Sequence, residues 1–158
     1  VKLLRRSGLA LLLLAWSVAG AAPRPFVPGS FAELVEARSG QPYLLVLWST
    51  TCLPCRDEFR VLAELREQHG ELPLVLVGTD PPGQEAMVDR MLEHFGLAGQ
   101  ENWAFADDDT LRLRFEIDAE WYGELPRSYF YAASGERIAA SGKLERARLE
   151  EWIATLPR

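Results

Sequence analysis

Hydrophobic positions fall in short blocks whose spacing changes along the chain, and that spacing predicts the elements. Pro23 to Gly29 reads as an irregular lead-in. Ser30-Phe31-Ala32-Glu33 then matches a capping box, Leu34 and Val35 supply an apolar face, and Gly40 supplies a stop, so a helix is expected. Tyr43 to Trp48 is a continuous apolar run, short enough for a strand buried on both faces. A helix should begin at Cys52 or Leu53, with Pro54 tolerated in its first turn. It would carry Phe59, Leu62 and Leu65 inward and end near His69-Gly70.

Leu72 to Thr79 reads as a second buried strand, closed by the turn signal Asp80-Pro81-Pro82-Gly83. Met87, Val88, Met91, Leu92 and Phe95 recur at helical spacing, with Gly96 just beyond. Trp103 to Ala106 predicts a short strand. Asp107 to Ile117 carries two patterns: Leu111, Leu113 and Phe115 alternate as in a strand, whereas the aspartates before Thr110 start helices, and helix is the reading adopted. Ser128 to Ala132 and Arg137 to Ser141 form a hairpin around Ser134-Gly135. A last helix places Leu149, Trp152, Ile153 and Leu156 on one face. Strands alternating with helices, then a hairpin and a helix, imply an α/β protein with a mixed central sheet flanked by helices on both faces.

Composition narrows the class. The 158 residues are 48% hydrophobic and 25% charged, ordinary for one globular domain. A formal net charge of −6 disfavours nucleic acid as a partner. The first residues read as an address rather than as fold. Lys2, Arg5 and Arg6 precede an apolar run from Leu9 to Ala19, and small residues follow in Ala19-Gly20-Ala21-Ala22 before Pro23. That is the grammar of a secretory signal peptide over residues 1–22, leaving 23–158 as the domain. The run is shorter than the roughly 20 apolar residues of a spanning helix; an uncleaved membrane anchor is the alternative. Export points to a compartment that tolerates disulfides, the periplasm being the natural one.

The chemistry lies in Trp48-Ser49-Thr50-Thr51-Cys52-Leu53-Pro54-Cys55, which holds both cysteines of the chain. A C-x-x-C pair where a buried strand hands over to a helix is the setting of dithiol redox chemistry. At a helix N-terminus, unpaired N–H groups and the helix dipole favour thiolate over thiol. Cys52 is therefore expected to attack, and Cys55, one turn on, to resolve the mixed disulfide. Such a pair exchanges two electrons with no cofactor. A zinc site would need His69 or His94 as further ligands, but an unbroken helix puts His69 about 21 Å from Cys55. Both histidines precede glycines that end helices, where a solvated side chain is usual. An inert structural disulfide is the other alternative, disfavoured because its loop is too short to stabilise much.

Trp-x-x-x-Cys-x-Pro-Cys after a buried strand resembles the thioredoxin superfamily, and more narrowly its exported TlpA/ResA-type thiol:disulfide oxidoreductases. The resemblance spans about Phe31 to Leu156 and implies a thioredoxin-like three-layer fold. It assigns Cys52 and Cys55 to the redox pair and Trp48 to the tryptophan packed beside it. Glu58, three residues after the second cysteine, matches the glutamate of the exported branch. The position at which cytosolic thioredoxins carry a buried aspartate is Val46 here. If buried, Glu58 would have a raised pKa and trade protons with the cysteines; the alternative is a solvent-facing helix glutamate. Leu125-Pro126 matches the superfamily's cis-proline turn facing the redox pair, with Pro126 and Leu125 as substrate neighbours. Asp118 to Leu125 is longer than the family's usual approach to this proline, and its Trp121 and Tyr122 either dock a partner or pack against the body.

The resemblance thus implies a monomeric periplasmic enzyme acting on protein thiols and disulfides as a reductant, as in cytochrome c maturation, and re-reduced by a membrane-bound electron donor. A disulfide oxidase or isomerase on the same scaffold, a copper-handling binding module, and a domain that uses the fold only for docking are the competing functions.

Overall fold

The computed structural model describes residues 22–157, so the expected signal segment lies, but for Ala22, outside the described residues. The elements run β1 (Arg24–Phe26), α1 (Ser30–Ala37), β2 (Tyr43–Trp48), α2 (Leu53–His69), β3 (Leu74–Gly78), α3 (Glu85–His94), β4 (Glu101–Phe105), α4 (Thr110–Ile117), β5 (Arg127–Tyr131), β6 (Arg137–Ser141) and α5 (Arg146–Ala154). They build one six-stranded sheet in the order β1-β4-β3-β2-β5-β6. The first four strands of that order are parallel; β5 runs antiparallel to β2, and β6 to β5.

Every residue of β2 is buried, as its unbroken apolar run requires of a central strand covered on both sides. The period of two sorts its side chains between two cores. Leu44, Val46 and Trp48 face Phe59, Leu62 and Leu65 of α2, Val88 and Leu92 of α3, and Leu149 and Trp152 of α5. Tyr43, Leu45 and Leu47 face Leu34 of α1 and Leu113 and Ile117 of α4, with Phe26, Trp103 and Phe105. The mixed sheet covered on both faces is the architecture that the hydrophobic pattern implies.

Four local expectations are corrected. The lead-in contains β1, which pairs with β4 through Arg24↔Trp103 to Phe26↔Phe105. Three residues are too few to alternate visibly; the strand is held by the Phe26 ring against Trp103 and Phe105 and by the Arg24 guanidinium 3.8 Å over the Trp103 ring. Pro25 is compatible with this strand because it lies on an edge. Second, the capping box does not form: left-handed Gly29 precedes α1, Ser30 Oγ accepts from the Val27 N–H, and Glu33 pairs with Arg24. Third, Met87, which shares the helical spacing of the apolar residues of α3, is 42% exposed. Fourth, the second central strand starts at Leu74, because Pro73 has no N–H for a ladder. The ambiguous segment resolves as helix α4, capped by Asp109, whose side chain accepts from the Arg112 N–H.

Candidate active site

The loop from Ser49 to Cys52 carries the chain from the C-terminal end of β2 into α2. Cys52 is the N-cap of α2, and its sulfur accepts the Cys55 N–H at 3.2 Å. The two cysteines form a disulfide. Cys55 is buried and Cys52 is half-buried, beside an exposed Leu53. The sulfur nearer the surface is therefore also the one that receives a helix-terminal N–H, a favourable place for negative charge. Trp48 is buried beneath the loop with its ring 4.8 Å from that of Phe59.

The loop is tied down by three residues, two from the end of β3 and one from α2. From the end of β3, the Thr79 N–H and hydroxyl both donate to the Trp48 carbonyl, at 2.8 and 3.1 Å. The buried Asp80 carboxylate accepts the Thr50 N–H (3.1 and 3.0 Å) and hydroxyl (2.6 Å). From α2, the Arg56 guanidinium donates to the Thr50 carbonyl at 2.7 Å.

Glu58 points into the protein and is completely buried, so the solvent-facing alternative is excluded. Its Oε2 accepts the Leu144 N–H at 2.7 Å, and the Ser128 hydroxyl stands 3.5 Å from Oε1. Burial pushes its pKa up to about 7, against the opposing pull of the Leu144 N–H, the Ser128 hydroxyl and the Lys143 charge. Among the described residues neither sulfur is a hydrogen-bond partner of this carboxyl; it joins α2 to β5 and to the segment after β6.

The Leu125–Pro126 peptide is cis, as the resemblance implied. Arg127 of β5 pairs with Leu47 of β2, so Pro126 lies at the end of β2 from which the cysteine loop departs. Pro126 is buried and Leu125 is half-buried against both cores. The segment before it divides its aromatics: Trp121 is buried with its indole N–H donating to the Glu124 carbonyl, and Tyr122 is 94% exposed. Asp118 anchors the segment through Arg127 Nη2 at 2.9 Å and the Tyr129 hydroxyl at 2.8 Å.

No local pattern in the sequence singles out Ser128, Leu144, Thr50 or Asp80. Asp80 read as part of a turn, which it is, but nothing local shows its side chain reaching another loop. Leu144 contributes only a backbone N–H, which no residue pattern reveals. His69 and His94 are the last residues of α2 and α3, as their glycine stops predicted.

No family model and no curated protein matches the sequence. The fold does match solved structures. One is a secreted disulfide oxidoreductase of Mycobacterium tuberculosis homologous to E. coli DsbE, with a TM-score of 0.58 at 18% identity, covering 77% of this chain and 86% of that one. A second is a thiol:disulfide interchange protein of the thioredoxin family from Chlorobium tepidum, with 0.58 at 20%, covering 75% and 81%. A third is a DsbF homologue from Corynebacterium diphtheriae, with 0.58 at 16%, covering 77% and 76%. With the strand order and the cysteine pair at the β2–α2 junction, these likenesses establish a thioredoxin-like fold.

Proposed function

We propose that this chain is a thiol:disulfide oxidoreductase that exchanges its Cys52–Cys55 couple with the thiols of other proteins. The observation that carries the reading is the disulfide at the N-terminus of α2, with a half-buried Cys52 in front of a buried Cys55. In the reducing direction the Cys52 thiolate attacks one sulfur of a client disulfide, and the other client sulfur leaves as a thiolate and takes up a proton. The Cys55 thiolate then attacks Cys52 Sγ, the Cys52–client bond breaks, and the second client thiol departs. The client has gained two electrons, and Cys52–Cys55 has become a disulfide. Glu58 lies one turn along α2 from Cys55 and has a proton affinity near neutrality, which suits it to take the Cys55 proton. Trp48, Leu125 and Pro126 frame the place where the client backbone lies.

The cellular setting belongs to the same proposal. Residues 1–22 direct export to the periplasm, the enzyme works there as a monomeric reductant, and a membrane-bound donor restores the dithiol. The secreted relative from Mycobacterium tuberculosis supports the exported reading.

The test is capture of the mixed disulfide. Cys55→Ser should accumulate a covalent adduct through Cys52 with a protein disulfide substrate, visible on a non-reducing gel and lost on adding reductant. Cys52→Ser should form none and should lose turnover; retained turnover in Cys52→Ser would refute the assignment. The reduction potential decides direction: a strongly negative value fits a reductant, and one near the strong periplasmic oxidants reverses it.

A further inference from the structure

Thr50, two residues before Cys52, has every backbone and side-chain polar group engaged. Asp80 takes its N–H and its hydroxyl, and Arg56 supplies a donor to its carbonyl. Both Thr50 and Asp80 are buried, and among the described residues no cation stands within ion-pair distance of Asp80. A buried carboxylate without a counter-cation, spent wholly on one loop residue, is more than a turn requires. Thr79 holds the Trp48 carbonyl from the same corner, and the Cys52 N–H closes the turn on the Ser49 carbonyl at 3.2 Å.

We propose that Asp80 is a positioning residue of the redox couple: from the end of β3 it fixes the loop that sets Cys52 against Cys55. The inference rests on the redox reading above. One consequence follows for the couple. A fixed loop keeps the two thiols of the reduced form close to the geometry of their disulfide, which favours ring closure. Asp80 thus holds the potential of the couple low.

The measurement is the equilibrium of the full chain with glutathione, in which the protein disulfide and two glutathione molecules give the dithiol and one glutathione disulfide. Asp80→Asn leaves one carbonyl oxygen for the contacts that two carboxylate oxygens make. It should move the equilibrium about tenfold toward the dithiol, a potential about 30 mV less negative. Thr50→Val removes only the hydroxyl contact and should move it about threefold in the same direction, whereas Thr50→Ser should match the natural chain. A residue that only stabilised the fold would act on both redox forms alike and leave this equilibrium unmoved. Equilibria within twofold of the natural chain for both Asp80→Asn and Thr50→Val would overturn the proposal, and Thr50→Val decides alone if Asp80→Asn does not fold. A natural chain that exchanges neither with glutathione nor with a protein disulfide would instead sink the oxidoreductase reading itself.

Discussion

Replacing Glu58 by Gln tests the buried acid with the smallest change of shape. In the folded protein its carboxyl titrates near 7, raised from an ordinary value of 4.5 chiefly by burial. Between those two values the folded protein keeps a proton that the unfolded chain has released, so stability falls as pH rises. The contribution is fully present below about 4.5 and is lost as pH passes through about 7. With about 1.4 kcal/mol per pKa unit, the loss by pH 8 is about 3 kcal/mol. The substituted glutamine carries no charge, its carbonyl oxygen can accept the Leu144 N–H, and its amide can donate to the Ser128 hydroxyl. The variant should match the natural chain at pH 4.5 and exceed it by about 3 kcal/mol at pH 8. Urea unfolding of both oxidised proteins, at half-unit steps from pH 4.5 to 8, reads the difference directly, since every other titrating group is common to the pair. A difference that stays constant across the range would refute the reasoning, because Glu58 would then titrate alike in both states. The same substitution should remove an inflection near pH 7 from the thiol-exchange rate if Glu58 takes the Cys55 proton.

Asp118→Asn should cost about 2 kcal/mol by urea unfolding at pH 7, since it leaves Arg127, only 14% exposed, without its closest carboxylate. Burial alone would raise the Asp118 pKa, but the Tyr129 hydroxyl, the Glu120 N–H, Arg127 and the nearby Arg137 charge outweigh it and hold the pKa below its ordinary value. Its stabilisation is therefore present above the ordinary aspartate range and lost as pH falls below it, so the penalty of Asp118→Asn should shrink in strong acid. In the neighbouring segment, Trp121→Ala should cost about 3–5 kcal/mol by loss of a buried ring, whereas Tyr122→Ala should stay within about 0.5 kcal/mol. Equal effects of the two, measured by thermal or urea unfolding, would contradict the division of this segment into a packed and an exposed aromatic.

Much of this architecture was legible because the central strands announce themselves. Tyr43–Trp48 is apolar on both faces, and the C-x-x-C pair at its end specifies a strand, a loop and a helix start in one stretch of sequence. Glycines marked where α2 and α3 stop. What escaped reading was either too short or too distant. β1 is three residues whose pairing depends on Trp103 and Phe105, far along the chain. Ser30 began a convincing capping box, yet left-handed Gly29 and the Arg24–Glu33 pair rearranged that corner. Exposed Leu111 and Phe115 blurred the period of α4, because only Leu113 and Ile117 of that helix are buried.

The two acids of the site show the limit most plainly, and they also show why their burial points to function. Glu58 could be flagged by its place after the cysteines, but its environment depends on Leu144, 86 residues away, and Asp80 meets Thr50 across 30 residues. Sequence gives such a residue's identity; the partners that decide its charge arrive only with the tertiary fold. Once those partners are known, packing alone does not account for the choice. An apolar side chain at position 58 would fill the buried space beside Ser128 and Leu144 without the roughly 3 kcal/mol that ionisation costs above neutrality. Under the proposed function, an acid that weakens the fold at the pH where thiolates form is placed for proton traffic. The pH dependence of exchange in Glu58→Gln is the place where that argument is most exposed.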